Sequence, residues 1–152
     1  MSDYSTRSIY SIGTVARMLG VSVQSLRMYE RVGLILPTKS PGNQRLYSES
    51  DVHRLKCIRS AISDQKISIQ GMRRVHALIP CWQIIGCSET DRQNCPSFSA
   101  HEGGCWTYPH DNDICGTKDC KSCAVYELAV DCGNIKESIK QASLEHEHSI
   151  KT

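Results

Sequence analysis

Gly20-Val21-Ser22-Val23-Gln24-Ser25-Leu26-Arg27-Met28-Tyr29-Glu30 is the stretch that decides the fold, because it turns one short helix into another across a tight corner. Gly20 stops the helix before it, and Ser22 is placed to cap the helix after it. In that second helix Val23, Leu26 and either Tyr29 or Val32 face inward, which leaves Gln24, Arg27 and Met28 facing out. Upstream, Ser11 is an N-cap for a helix whose Ile12, Val15, Ala16 and Leu19 share one apolar face. Downstream, Gly33-Leu34-Ile35 closes the second helix, Pro37 prevents more helix, and two short strands flank a Gly42-Asn43 turn. Two helices at a corner followed by a hairpin make a winged helix-turn-helix, an arrangement that grips duplex DNA. Outward residues near the start of the second helix are the ones that reach a major groove, and Lys39 and Arg45 put charge on the wing over backbone phosphates.

Two further helices complete this part. Ser48-Glu49-Ser50-Asp51 forms a capping box for a third helix that buries Val52, Leu55, Ile58 and Ile62. A fourth begins near Ser68, buries Ile69, Met72 and Val75, and is stopped by Pro80. Arg54, Arg59, Arg73 and Arg74 fall off these faces and are expected at the surface. Cys57, among Val52, Leu55 and Ile58, is expected as a small buried hydrophobe.

The net charge of +2 conceals a division. Residues 1–80 carry twelve Lys or Arg against five Asp or Glu, a net +7, and residues 81–152 carry six against eleven, a net −5. A basic half attracts phosphate through counterion release, whereas the acidic half is repelled by it, so DNA belongs to the first half. Met1-Ser2-Asp3-Tyr4-Ser5 does not resemble a signal peptide, and no stretch approaches the roughly 20 apolar residues of a membrane span. A cytoplasmic, nucleoid-associated chain with no membrane partner is expected, and in that reducing compartment clustered cysteines point to metal or redox chemistry.

Several motifs in order carry a resemblance: Tyr10-Ser11-Ile12-Gly13, Gly20-Val21-Ser22, Leu26-Arg27-Met28-Tyr29-Glu30, Gly33-Leu34 and Arg45-Leu46-Tyr47-Ser48. Together they resemble the DNA-binding domain of the MerR family. Gly42-Asn43-Gln44-Arg45 and Ile67-Ser68-Ile69-Gln70-Gly71 are similar to its heat-shock-repressor branch. The resemblance implies that Arg27 and Tyr29 contact phosphate and base edges from the recognition helix, and that Arg45 lies beside the minor groove. Met28 departs from the tyrosine common in the family and lacks its hydroxyl donor. The resemblance also implies a dimer on promoter DNA, with RNA polymerase as the further partner. The long pairing helix usual after the fourth helix is replaced here by Cys81-Trp82.

Eight of the nine cysteines lie between Cys81 and Cys132. Cys81-Trp82, Cys87 and Cys95-Pro96 are echoed by Cys105-Trp106, Cys115, Cys120 and Cys123, a doubled Cys-Trp pattern that resembles the two-Cys-Trp modules attached to bacterial signalling proteins. Cys120 and Cys123, two residues apart, can share one ion, and eight thiolates suffice for two four-ligand sites. Cys81, Cys87, Cys95, Cys105, Cys115, Cys120, Cys123 and Cys132 are therefore the candidate metal ligands. Spacing alone does not separate zinc from an iron–sulfur cluster. The scarcity of Leu, Ile and Phe argues against a drug-like ligand pocket as the regulatory input and favours a cluster or redox-responsive thiols, with Trp82 and Trp106 as shields. His101 and His110 are expected as loop histidines. Eight cysteines in near-repeat order, with no Gly-rich phosphate loop and no His-Glu metal motif, argue against an enzyme.

The expected architecture is mainly α. A tail at 1–8, expected to be disordered, precedes a winged helix-turn-helix at 9–79. A small cysteine-rich, metal-stabilised module follows at 80–124, then an amphipathic helix at 125–147 and a tail at 148–152. In the terminal helix Val125, Leu128, Cys132, Ile135, Ile139 and Ala142 fall on the three-four spacing of a dimer seam. The expected function is sequence-specific transcriptional regulation as a dimer, responsive to redox or metal state. The alternative is a regulator whose cysteine module is structural zinc or an interaction surface.

Overall fold

Ser11 starts the helices as its position predicts: its side chain accepts the Thr14 N–H, and α1 runs Ile12–Leu19 with Val15, Ala16 and Leu19 buried. The computed structural model describes residues 7–111, 113–117, 119–128, 136–137, 139–141 and 144. Within these the chain forms two compact units, Met1–Ile67 and Ser68–Thr152. No helix among the described residues is long and apolar enough to cross a membrane.

In the first unit Gly20 ends α1 at φ 65°, a left-handed conformation that glycine adopts without a Cβ penalty, and its N–H turns back to Ala16 and Arg17. Ser22 caps α2, Val23–Arg31, by accepting the Ser25 N–H. Of the two candidates for its last inward position, Tyr29 is the buried one, alongside Leu26. The wing is β2, Thr38–Lys39, paired antiparallel with β3, Arg45–Tyr47, with Thr38 opposite Leu46 and Lys39 opposite Arg45. A third strand that the sequence pattern does not announce, β1, Tyr10–Ser11, adds to the other edge of β3. Two residues are too few to show alternation. Tyr47, at the end of β3, is fully buried, and burial pushes its phenol up to about 12.

The capping box of Ser48 and Asp51 forms as expected and opens α3, Glu49–Ser63. Val52, Leu55 and Ile58 are buried, but Ala61 takes the deeper place and Ile62 is half-buried. Arg54 corrects the sequence analysis. It lies three residues after Asp51 and four before Ile58, on the inward face, and is only 1% exposed. Its Nε–H donates to the Leu34 carbonyl oxygen at 2.9 Å, tying α3 to the segment after α2. A charged residue judged by its type alone is placed outside, whereas a guanidinium that satisfies a carbonyl and packs its stem can be interior.

The second unit begins with α4, Ile69–Ala77, capped by Ser68. Met72 and His76 are its buried residues, with Ile69 and Val75 half-buried, so its inward face is turned from the expected one. Cys81-Trp82 starts a short helix, α5, Cys81–Ile85, and a second capping box, Ser88 with Asp91, starts α6, Glu89–Asn94. Single 3-10 turns at Cys105–Thr107, Ile114–Thr117 and Cys120–Ser122 lead to α7, Ala124–Leu128, which packs on α5. The core is Met72, Ile79, Trp106, Val125 and Tyr126. Of the terminal seam, Val125 is buried and Leu128 half-buried, while Cys132, Ile135 and Ala142 lie outside the described residues.

Arg54→Ala removes a buried stem and leaves the Leu34 carbonyl without this donor. A loss of about 2–4 kcal/mol is expected, read from the urea midpoint at unchanged slope.

Candidate nucleic-acid interface and metal centre

On the first unit Ser11, Ile12, Arg27, Asn43, Gln44 and Arg45 line an open groove of about 330 Å³. It brings the start of α1, the outward face of α2 and the wing turn around one space. Gln24 and Arg27 are exposed, one turn apart on α2, and Met28 beside them is half-buried. Lys39 is exposed and sits directly across the wing ladder from Arg45. Arg45 is ion-paired through Nε with Glu30, both half-buried. Tyr29 is buried, so its ring belongs to the core beneath α2 while Gln24 and Arg27 stand above it. Ser11, Asn43 and Gln44 complete the groove and are absent from the residues chosen by sequence. The turn signal at Gly42-Asn43 marked the wing without marking its tip as a contact.

The second unit gathers its sulfur. Cys81, Cys87, Cys95, Cys105, Cys115, Cys120 and Cys123 are free and half-buried, and Cys132 lies outside the described residues. Cys57, expected as a plain buried hydrophobe, is half-buried and disulfide-bonded. The doubled Cys-Trp pattern acquires a meaning in space: Cys81 and Cys105, the leading cysteines of its halves, are hydrogen-bonded through their thiols. The proton they share lowers the pKa of Cys81, helped by the Trp82 backbone and Ser97, and raises that of Cys105. A small apolar cavity of about 20 Å³ lies among Cys105, Cys115, Cys120 and Cys123, walled by Ile85, Trp106, His110 and Tyr126.

The two tryptophans divide the work of enclosure. Trp106 is buried, edge-on to His76 of α4 at 5.1 Å between ring centroids and edge-on to Tyr126 of α7 at 5.1 Å. Trp82 is half-buried and stands edge-on to Phe98 at 5.4 Å. Burial pushes Cys115 up to about 12, with Asp113 adding to it, and raises Cys87 and Cys120. Each shift opposes a second free thiolate in an apolar space. A bound cation would reverse that penalty.

His110, expected as a loop histidine, does lie in a loop, and its ring is closely surrounded. The structure brings its Nδ1 to 2.9 Å from Asp113 Oδ2 and 3.7 Å from Cys95 Sγ, with Nε2 2.7 Å from the Cys105 carbonyl oxygen. Burial disfavours its charged form, but the Cys105 carbonyl and Asp113 outweigh that and raise its pKa. Among the described residues, Cys95, His110 and Asp113 have ligand atoms all within 4.8 Å of one another. The separation of fifteen residues between Cys95 and His110 hid this grouping, although His110-x-x-Asp113 is a compact pair. His101 is exposed, as expected of a loop histidine.

Comparison with known proteins matches the first half of this architecture. Residues 10–77 match the family described as MerR HTH family regulatory protein. The chain is 33% identical over 67 residues to a putative heat shock protein HspR of Streptomyces coelicolor, a span covering 44% of each. It is 44% identical over 52 residues to a mercuric resistance operon regulatory protein of Pseudomonas fluorescens, covering 34% of this chain and 36% of that one. It is 39% identical over 62 residues to the transcriptional regulator TnrA of Bacillus subtilis, covering 41% and 56%. No solved structure matches the chain. The chain spans about half the length, or less, of the curated relatives it matches. Residues 10–77 are thus similar to the helix-turn-helix domain of MerR-type regulators.

A Cβ at Gly104 would lie 2.3 Å from the Trp106 ring. Gly104→Ala therefore forces the indole out of its place, with an expected loss of about 1–3 kcal/mol, measured by denaturant titration followed through tryptophan fluorescence.

Proposed function

We propose that this chain is a DNA-binding transcriptional regulator that reads promoter DNA as a dimer, with its cysteine-rich unit holding a metal centre that reports redox or metal state. The observation that carries the DNA half is the groove shared by Arg27 and Arg45 within a MerR-type domain. Gln24, Arg27 and Met28 are the outward residues of α2 and face the major groove. Tyr29, buried below them, positions that helix, and Lys39 and Arg45 engage backbone beside the minor groove. Two such modules give affinity by meeting half-sites about 34 Å apart. Phosphate competes with Glu30 for Arg45, so the ion pair of the free protein holds the guanidinium at the groove until DNA arrives.

The metal half is supported by the four-thiol cavity behind Trp106 and Tyr126. Four thiolates in an apolar, shielded space suit an iron–sulfur cluster, whose redox state or loss would be the signal. Coupling runs through α4, which lies inside the family-matched segment while its His76 packs on Trp106. A change at the thiols moves Trp106 and so biases α4. In the family, bending and untwisting promoter DNA so that RNA polymerase can engage is the lever such a bias works on. The curated relatives are regulators, in keeping with a non-enzymatic role.

Structural zinc is the second reading, favoured by the mixed donors of Cys95, His110 and Asp113. Protein purified under argon is expected to be brown, with visible absorbance that bleaches in air and DNA affinity that changes with it. Colourless protein that keeps stoichiometric zinc in air, with the same affinity before and after chelation, decides for structural zinc. For the DNA interface, Arg27→Ala is expected to weaken duplex binding about 5- to 100-fold and Lys39→Ala to lower the salt slope by about one. Unchanged affinity and slope in both would remove α2 and the wing from the interface.

A further inference from the structure

His110 is held in one tautomer and aimed. Its Nε2 lies 2.7 Å from the Cys105 carbonyl oxygen, which can only accept, so Nε2 carries the proton and donates it. In the neutral ring Nδ1 is then a bare lone pair. That lone pair faces Asp113 Oδ2 at 2.9 Å and Cys95 Sγ at 3.7 Å. A carboxylate oxygen, a thiol sulfur and an imidazole nitrogen converge there, and without a metal a proton on Nδ1 meets Asp113 Oδ2. A cation at the centre would take that proton's place.

The surroundings are those of a metal ligand set. A metal-bound histidine almost always gives its other N–H to a carbonyl or carboxylate, which fixes the ring, and the Cys105 carbonyl does this here. Asp113 is oriented in the same way: its Oδ1 accepts the Cys115 N–H at 2.8 Å, which leaves Oδ2 to the site. Zinc bonds of about 2.0–2.3 Å in a tetrahedron put ligand atoms about 3.3–3.8 Å apart, and these three all lie within 4.8 Å of one another.

We propose that Cys95 Sγ, His110 Nδ1 and Asp113 Oδ2 hold a single zinc-class divalent ion at a site separate from the four thiols beside Trp106. This rests on the reading of the second unit as a metal-binding module. A fourth position is left to water or to Cys87, which does not line the four-thiol cavity. Mixed sulfur, nitrogen and oxygen donors select a borderline ion such as zinc and exclude the all-sulfur shell usual for a cluster. The unit then carries two centres of different chemistry, one redox-inert and setting the fold of the 105–115 loop, the other open to change.

The test is metal content and anaerobic cobalt(II) binding of the full chain, compared with His110→Ala, Asp113→Asn and Cys120→Ser. His110→Ala is expected to lose one equivalent of zinc per chain, and Asp113→Asn to hold that equivalent at least tenfold more weakly. The cobalt difference spectrum between the wild-type chain and His110→Ala should show tetrahedral bands with thiolate charge transfer weaker than that of a four-thiolate site. Cys120→Ser, outside the trio, should keep this equivalent while losing metal from the thiol set. Full zinc in both trio variants overturns the site and leaves the thiol reading standing. Loss of every equivalent in all three variants overturns its separateness. A wild-type chain that takes up no metal at all overturns both readings.

Discussion

The burial of one indole organises the second unit. Trp106 meets His76 from α4 on one side and Tyr126 from α7 on another, and its ring occupies space that a Cβ at Gly104 would fill. Apolar side chains are few here, and a segment this short buries too little surface to be stable through hydrophobic contact alone. Aromatic edges therefore supply the contacts between elements, and the thiols collect around the same ring. A metal bound by those thiols adds its binding free energy to folding, so the packing of Trp106 and occupancy of the site are one equilibrium.

The first unit works on the opposite principle. Its helices are capped by serines, its core is aliphatic, and its functional side chains stand outside that core on rigid elements. These are local decisions, each readable from a few neighbouring residues. Ser11, Ser22 and Ser48 announced their helices, Gly20 its corner, and Gly42-Asn43 the wing. Arg54 failed that approach because its partner, the Leu34 carbonyl, is twenty residues away and has no sequence signature. Tyr29 and Val32 were left as alternatives because an amphipathic side chain at the boundary of two helix faces can serve either, and the fold buries Tyr29 beside Leu26.

Less of the second unit was legible, because its structure is a set of long-range meetings. The doubled Cys-Trp pattern is visible in the sequence, yet the thiol contact between Cys81 and Cys105 follows from folding and not from spacing. His110 was judged by the odds for a histidine in a loop. The fold adds the Cys105 carbonyl, five residues back, beside one ring nitrogen, and Asp113, three residues on, beside the other. Backbone acceptors have no letter in a sequence, so a contact made by one is invisible until the chain is folded.

α4 lies at the start of the second unit. It lies in the segment shared with MerR-type relatives, yet its buried residues, Met72 and His76, belong to the thiol unit's core. Arg73 and Arg74 reach Glu102 at 3.5 Å each, tying the same helix to the loop that leads into Trp106. These pairs are exposed enough to contribute little stability, but they share one carboxylate and constrain the helix's rotation. A helix held in this way cannot turn without disturbing His76 against Trp106, and Trp106 cannot shift without disturbing the thiols beside it. Packed cores hold discrete arrangements rather than bending continuously, so α4, Trp106 and the thiols beside it shift together within the second unit. From there the chain passes directly, through Ser68 and Ile67, into the domain that carries Arg27 and Arg45.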